Sequence, residues 1–163
     1  MTETQHDASA GTPALTGGCN CGAVRYLVTR PLLTVYICHC HLCQKRTGSA
    51  FSMSVVIPAD GLQIVAGELL RSERLLPSGA KNVAWLCPAC YSRIYTQREG
   101  AQTVNLRVGT LDDTNKLRPV AQFWTSSAQP WALIKDDVLS YAEQPTDYAP
   151  LLVAWQAVAT GQS

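Results

Sequence analysis

Seven cysteines in three tight clusters constrain this chain more than any other feature: Cys19-Asn20-Cys21, Cys38-His39-Cys40-His41-Leu42-Cys43 and Cys87-Pro88-Ala89-Cys90. An odd number of cysteines at C-x-C and C-x-x-C spacings reads as metal ligands, because both sulfurs of a short knuckle can turn to one side. The segment Met1–Ala10 is polar, with Glu3 and Asp7 and neither a basic n-region nor an apolar h-region. A secretory signal is therefore not expected, and the default address is cytoplasmic, where thiols stay reduced. A disulfide framework is correspondingly unexpected.

The clusters divide most naturally as four and three. Cys19 with Cys21, and Cys87 with Cys90, make two knuckles, enough to close one S₄ zinc site with Zn–S distances of about 2.3 Å. Such a site pins together stretches that lie far apart in sequence and acts as a structural staple. Cys38, Cys40 and Cys43 lie so close that one loop can fold all three sulfurs onto one face of a second metal. The opposite face then stays open for a water or a substrate thiol. Three thiolates offset the charge of zinc, so the activation of a thiol suits this site better than the activation of water. Two alternatives stay open at this level: a closed Cys₃His site with His39 or His41 as fourth ligand, and a metal-free redox cluster.

The rest of the chain predicts one mostly-β domain. Its 163 residues are 47% apolar and 15% charged, which suits a packed core in a single unit. Strand-like runs cover Ala23–Thr29, Thr34–Cys38, Phe51–Ile57, Leu62–Ala66, Leu69–Leu76, Val83–Leu86, Ile94–Thr96, Thr103–Val108 and Val120–Trp124. Turn chemistry separates them at Pro58-Ala59-Asp60-Gly61, Pro77-Ser78-Gly79 and Gly109. Helix is scarce. One turn is expected over Leu42–Arg46, before Gly48. A C-terminal helix should present Leu151, Leu152, Trp155 and Val158 as a stripe, with Asp147 as N-cap and Pro150 in its first turn. That stripe docks on the body or on a partner in a homodimer, with Trp155 as anchor. Residues 1–14 read as a mobile tail and 15–163 as the single domain.

The net charge is +1 and no basic stripe stands out, so no nucleic-acid partner is expected. No apolar run approaches the ~20 residues of a membrane helix, so no membrane partner is expected either. Trp124 and Trp131 read as core rather than pocket, and Asp112 with Asp113 as a turn rather than paired acids.

The stretches Gly17-Gly18-Cys19-Asn20-Cys21-Gly22-Ala23-Val24-Arg25-Tyr26, Cys38–Cys43 leading to Thr47-Gly48-Ser49, and Cys87-Pro88-Ala89-Cys90 resemble the glutathione-dependent formaldehyde-activating enzyme family. The same family is also called centromere-protein-V-like. The resemblance implies a mainly β, Mss4-like fold of several short coiled antiparallel sheets around zinc knuckles. It implies a structural zinc on Cys19, Cys21, Cys87 and Cys90, and a labile catalytic zinc on Cys38, Cys40 and Cys43. The activity it implies is that of a carbon–sulfur lyase, S-(hydroxymethyl)glutathione synthase, acting on glutathione and a small aldehyde. Lys45 and Arg46, beside the tripod, are candidates to attract the thiol's carboxylates. Two positions depart from the family pattern: Tyr91 stands where glycine usually follows the last knuckle, and Gln44 where arginine often follows the tripod. The rival expectation is a zinc-stabilised binding module of the centromere type, which should need a basic extension or an interaction tail, and neither is read in this sequence.

Overall fold

A computed structural model describes residues 15–76, 78–134 and 137–161. The tail expected over 1–14 lies outside the described residues. Eleven strands and two α-helices follow the chain: β1 Leu15–Gly18, β2 Arg25–Val28, β3 Thr34–Cys38, α1 His41–Thr47, β4 Ser52–Pro58, β5 Leu62–Ala66, β6 Leu70–Leu75, β7 Lys81–Leu86, β8 Arg93–Arg98, β9 Thr103–Arg107, β10 Ala121–Phe123, β11 Leu139–Tyr141 and α2 Ala149–Ala159. The fold is mainly β, with a C-terminal helix. Every strand expected from the sequence is present, with ends shifted by a few residues. Strands β1 and β11 are additional, and both are too short to show an alternating pattern.

The strands form two sheets: β1-β2-β5, and an eight-stranded sheet ordered β11-β10-β3-β4-β9-β8-β7-β6. Most neighbours are antiparallel, as expected of short consecutive strands. The exception is β10, which runs parallel to both β3 and β11. This strand enters the sheet long after β3 in the chain, so no hairpin dictates its direction.

Alternation along β3, β4 and β9 sends Val35, Val55, Ile57, Val104 and Leu106 into one core, joined by Tyr26, Ile94 and Trp155. Six of these eight side chains are no more than 1% exposed, so the strands are held mainly by apolar burial. A second cluster gathers Cys38, Ala121, Phe123 and Leu151, with Tyr36, Cys40, Cys43 and Trp124 packed against it.

The C-terminal helix corrects the expected stripe. Leu151 and Trp155 are buried, whereas Leu152 is 39% and Val158 43% exposed. Burial one helical turn apart places α2 against β3 of its own chain. Trp155 therefore packs into the chain's own core. Asp147 Oδ1 accepts from the backbone N–H of Ala149, and Tyr148 takes the N-cap position. Pro150 sits in the first turn as expected. No helix among the described residues is long and apolar enough to cross a membrane.

Candidate active site

The first knuckle is the bend between β1 and β2. The N–H of Cys19 donates to the carbonyl of Val24, and Gly22 turns the chain at φ 80°. The second knuckle is the bend between β7 and β8, closed by the N–H of Tyr91 donating to the carbonyl of Cys87. Tyr91 takes the left-handed conformation at φ 58°, the conformation that a glycine would occupy without strain. The Asn20 N–H donates to Ser92 Oγ and so joins the two bends.

Together the bends bring the Sγ atoms of Cys19, Cys21, Cys87 and Cys90 within 4.8 Å of one another. Cys19 and Cys21 sulfurs are 3.5 Å apart, and those of Cys21 and Cys87 3.7 Å. A tetrahedron with metal–sulfur distances of about 2.3 Å has edges of about 3.8 Å, so the donor set fits a closed S₄ site. The Ser92 hydroxyl beside Cys90 holds its thiol down at about 5, an added pull toward the ligating thiolate.

The second site is built from the end of β3 and the first turn of α1. Cys38 ends the strand. Cys40 is the N-cap of α1, where its Sγ accepts from the N–H of Cys43 at 3.4 Å. Gly48 ends the helix in the left-handed conformation at φ 64°. The Sγ atoms of Cys38, Cys40 and Cys43 lie within 4.8 Å of one another, and no histidine or carboxylate joins them among the described residues. His41 is exposed. His39 is fully buried, with Nε2 3.4 Å from Gln122 Oε1 and its ring edge-on to Phe51. Neither imidazole completes the group, so the geometry favours the open tripod over the closed Cys₃His alternative.

Gln44 locks this loop. Its Nε2 donates to the carbonyl of His39 at 2.6 Å and to that of Ser127 at 2.9 Å. An amide can thus serve in place of the arginine that the family resemblance leads one to expect, because both offer forked donors to carbonyl oxygens. The crowded thiols diverge in proton affinity. Cys43 is held down at about 2, first by Cys38 and then by Cys40, while Cys38 is pushed far up by Cys40 and then Cys43. Three sulfurs this close do not all ionise unaided, and a divalent cation would supply the missing charge.

Sequence reasoning missed the arginines around this tripod. Cys38 pairs with Ser52, and Ser54 with Arg107. From Arg107 the same face passes through Asn105, Thr96, Ala84 and Ser72 to Arg74. Arg93 joins beside the irregularity at Trp85/Leu86. On a flat sheet β6 would lie about 24 Å from β3. Burial lowers the proton affinity of Arg74, as does the charge of Arg46 on α1, while Cys40 and Cys43 oppose the shift. Strand β6 is the outermost of the sheet, yet the Nε of Arg74 is buried, so this face is covered, on the side from which Arg46, Cys40 and Cys43 act. Arg93 is pushed down to about 10 by burial, then by Arg107 and Arg46.

Arg107 Nη1 donates to Ser52 Oγ at 3.0 Å and to Ser54 Oγ at 2.7 Å. The Nε atoms of Arg74 and Arg107 are buried without a partner among the described residues. These residues are far apart in sequence, and no local pattern links them before the register is known.

The remaining candidates resolve plainly. Asp112 accepts from the two terminal guanidinium nitrogens of Arg25 and from Thr16, which hold its carboxyl down at about 2. Asp113 caps the turn at Asn115 and pairs with Lys116. Both acids are structural, as the turn reading expects. Trp131 is 76% exposed, which corrects its placement in the core. Trp124 is half-buried against the tripod's apolar cluster. Lys45 is exposed. Two open hollows of about 360 Å³ lie elsewhere, one lined by Arg71, Trp85 and Gln97, the other by Asn20, Arg25 and Asp112. Neither gathers reactive groups comparable to the tripod.

A family model described as glutathione-dependent formaldehyde-activating enzyme matches residues 14–127. The chain belongs to that family. A protein of Sordaria macrospora, provisionally named for the same activity, is 27% identical over 106 residues. That match covers 60% of this chain and 43% of the relative, so this chain spans less than half the length of the curated relative it matches. A Rhodobacter sphaeroides protein of known crystal structure superposes with a TM-score of 0.46 at 20% identity, covering 77% of this chain and 98% of its own.

Proposed function

We propose that this chain is a zinc-dependent carbon–sulfur lyase. It joins glutathione or a related thiol to formaldehyde or another small aldehyde, forming or cleaving an adduct such as S-(hydroxymethyl)glutathione. Membership of the family supports this reading. The observation that carries it is the contrast between the two cysteine groups: four sulfurs that complete their own tetrahedron, and three with no fourth protein donor among the described residues.

On this reading Cys19, Cys21, Cys87 and Cys90 hold a structural zinc, and Cys38, Cys40 and Cys43 hold a second. When bound there, zinc supplies the positive charge that keeps a coordinated thiol as thiolate near neutral pH. The chain's own residues do the rest. Cys40 and Cys43 are held in register by the N-cap bond, and Gln44 fixes the loop that carries them. Phe123, Tyr36 and Trp124 pack around the tripod and give it an apolar side for an uncharged aldehyde. The thiol sulfur adds to the aldehyde carbon, the carbonyl π pair passes to oxygen, and the thiol proton ends on that oxygen. Cleavage is the reverse. Holding both reactants at one point supplies the orientation that the free reaction lacks. The cytoplasm, with its reduced thiols, is the compartment that suits this substrate.

Exchange NMR between free glutathione and its formaldehyde adduct tests the reading. The zinc-loaded protein should accelerate exchange, and Cys43→Ser should return it to the uncatalysed rate while the four-cysteine metal is retained. Equal exchange with and without the intact tripod would leave the rival reading, a zinc-stabilised binding module.

A further inference from the structure

We infer that Arg74, Arg93 and Arg107, with Arg46 at the rim, form a carboxylate-binding wall that makes the tripod selective for thiols carrying two acid groups. The inference rests on the tripod being the reactive site proposed above. Three observations carry it. The register of the eight-stranded sheet puts Arg74 and Arg107 on the face that holds Cys38, with Arg93 entering beside the bulge. None of the four arginines forms an ion pair with a carboxylate among the described residues, whereas Arg25, Arg30 and Arg71 each have one. The Nε groups of Arg74 and Arg107 are buried with no acceptor among the described residues. Buried guanidinium donors are costly to leave unmatched, and an anion is the partner that satisfies them best.

Counter-charge for the tripod does not exhaust these arginines. Three thiolates around a divalent cation carry one net negative charge, and Arg46, Arg74, Arg93 and Arg107 bring four positive ones. The remainder matches a substrate thiolate with two carboxylates. Arg107 is already oriented by Ser52 and Ser54, so its fork is held in place before the ligand arrives. These are specificity-determining residues; the sulfur chemistry stays with the cysteines.

The test is isothermal titration of the zinc-loaded full chain with mercaptosuccinate and with 2-mercaptoethanol. Both present a thiol, and only the first presents two carboxylates. Mercaptosuccinate should bind at least about tenfold more tightly, as expected for two charge-assisted pairs. Arg74→Gln and Arg93→Gln should each remove most of that preference, weakening mercaptosuccinate far more than 2-mercaptoethanol. Succinate, which lacks the sulfur, should compete with mercaptosuccinate in the parent protein and lose that ability in both variants. Equal affinity for the two thiols, or a preference that survives both substitutions, overturns the wall. The two proposals fail separately. A preference lost in the variants without accelerated adduct exchange sinks the lyase reading alone, and accelerated exchange without any preference sinks the wall alone.

Discussion

Tyr91 shows how a single dihedral records a requirement of the knuckle. Its side chain is 67% exposed, yet its backbone sits at φ 58°, where a side chain crowds the neighbouring carbonyl. Little packing holds the tyrosine there; the position is dictated by the bend that presents Cys87 and Cys90. Replacing it by glycine relieves the crowding, while replacing it by alanine trims the ring and keeps the strain. Tyr91→Gly should therefore be more stable than Tyr91→Ala by about 1 kcal/mol. Thermal melting of the two zinc-loaded variants checks this, and equal midpoints would mean that the bend relaxes to another conformation. Gly17 makes the opposite point: any side chain there would collide with the Tyr26 ring and the Thr110 carbonyl, so close approach excludes every other residue.

At the scale of an element, α1 is a seven-residue helix with no buried residue of its own. So short a helix is not stable by propensity. It is held by contacts at its ends: Cys40 at the N-cap, Gly48 at the other end, and the Gln44 side chain tied to the carbonyls of His39 and Ser127. Gln44→Glu replaces a donor with an acceptor facing two carbonyl oxygens and should loosen the loop by about 1–3 kcal/mol. Gln44→Arg restores a forked donor. Zinc per chain, measured after dialysis against a weak chelator, should fall from two toward one in the glutamate variant and stay at two in the arginine variant. Loss of metal in both, or in neither, would remove Gln44 as the clamp of the tripod.

At the scale of the whole molecule, the four-cysteine group ties the three-stranded sheet to the eight-stranded one. Cys21 and Cys87 are 66 positions apart, and a metal bridging them closes that loop. The Arg25–Asp112 ion pair, exposed on both sides, adds little to this joint. Cys87→Ser removes a buried thiol of the four-cysteine group and should lower the melting midpoint by about 10 °C or more in the presence of zinc. Cys43→Ser, at the open tripod, should lower it by only about 3 °C or less. Circular dichroism melts of the two variants side by side separate a structural metal from a functional one; similar losses would mean that both metals hold the fold.

What could be read from the chain alone follows from how local the causes are. The knuckles at Cys19/Cys21 and Cys87/Cys90, the tripod at Cys38, Cys40 and Cys43, and the strand Thr34–Cys38 are each written within a few residues, because sulfur spacing and side-chain alternation are short-range signals. The docking of α2 was only half legible: helical spacing named Leu151 and Trp155, but only packing against β3 decided that Leu152 and Val158 stay outside. The parallel entry of β10 and the exclusion of His39 from the tripod were likewise settled by neighbours distant in sequence. The arginine wall is the clearest case. Arg74, Arg93 and Arg107 sit on three strands, and nothing near any of them in sequence points to the tripod. Only cross-strand register puts them on one face with Cys38, and register is a property of the whole assembly of strands rather than of any one of them.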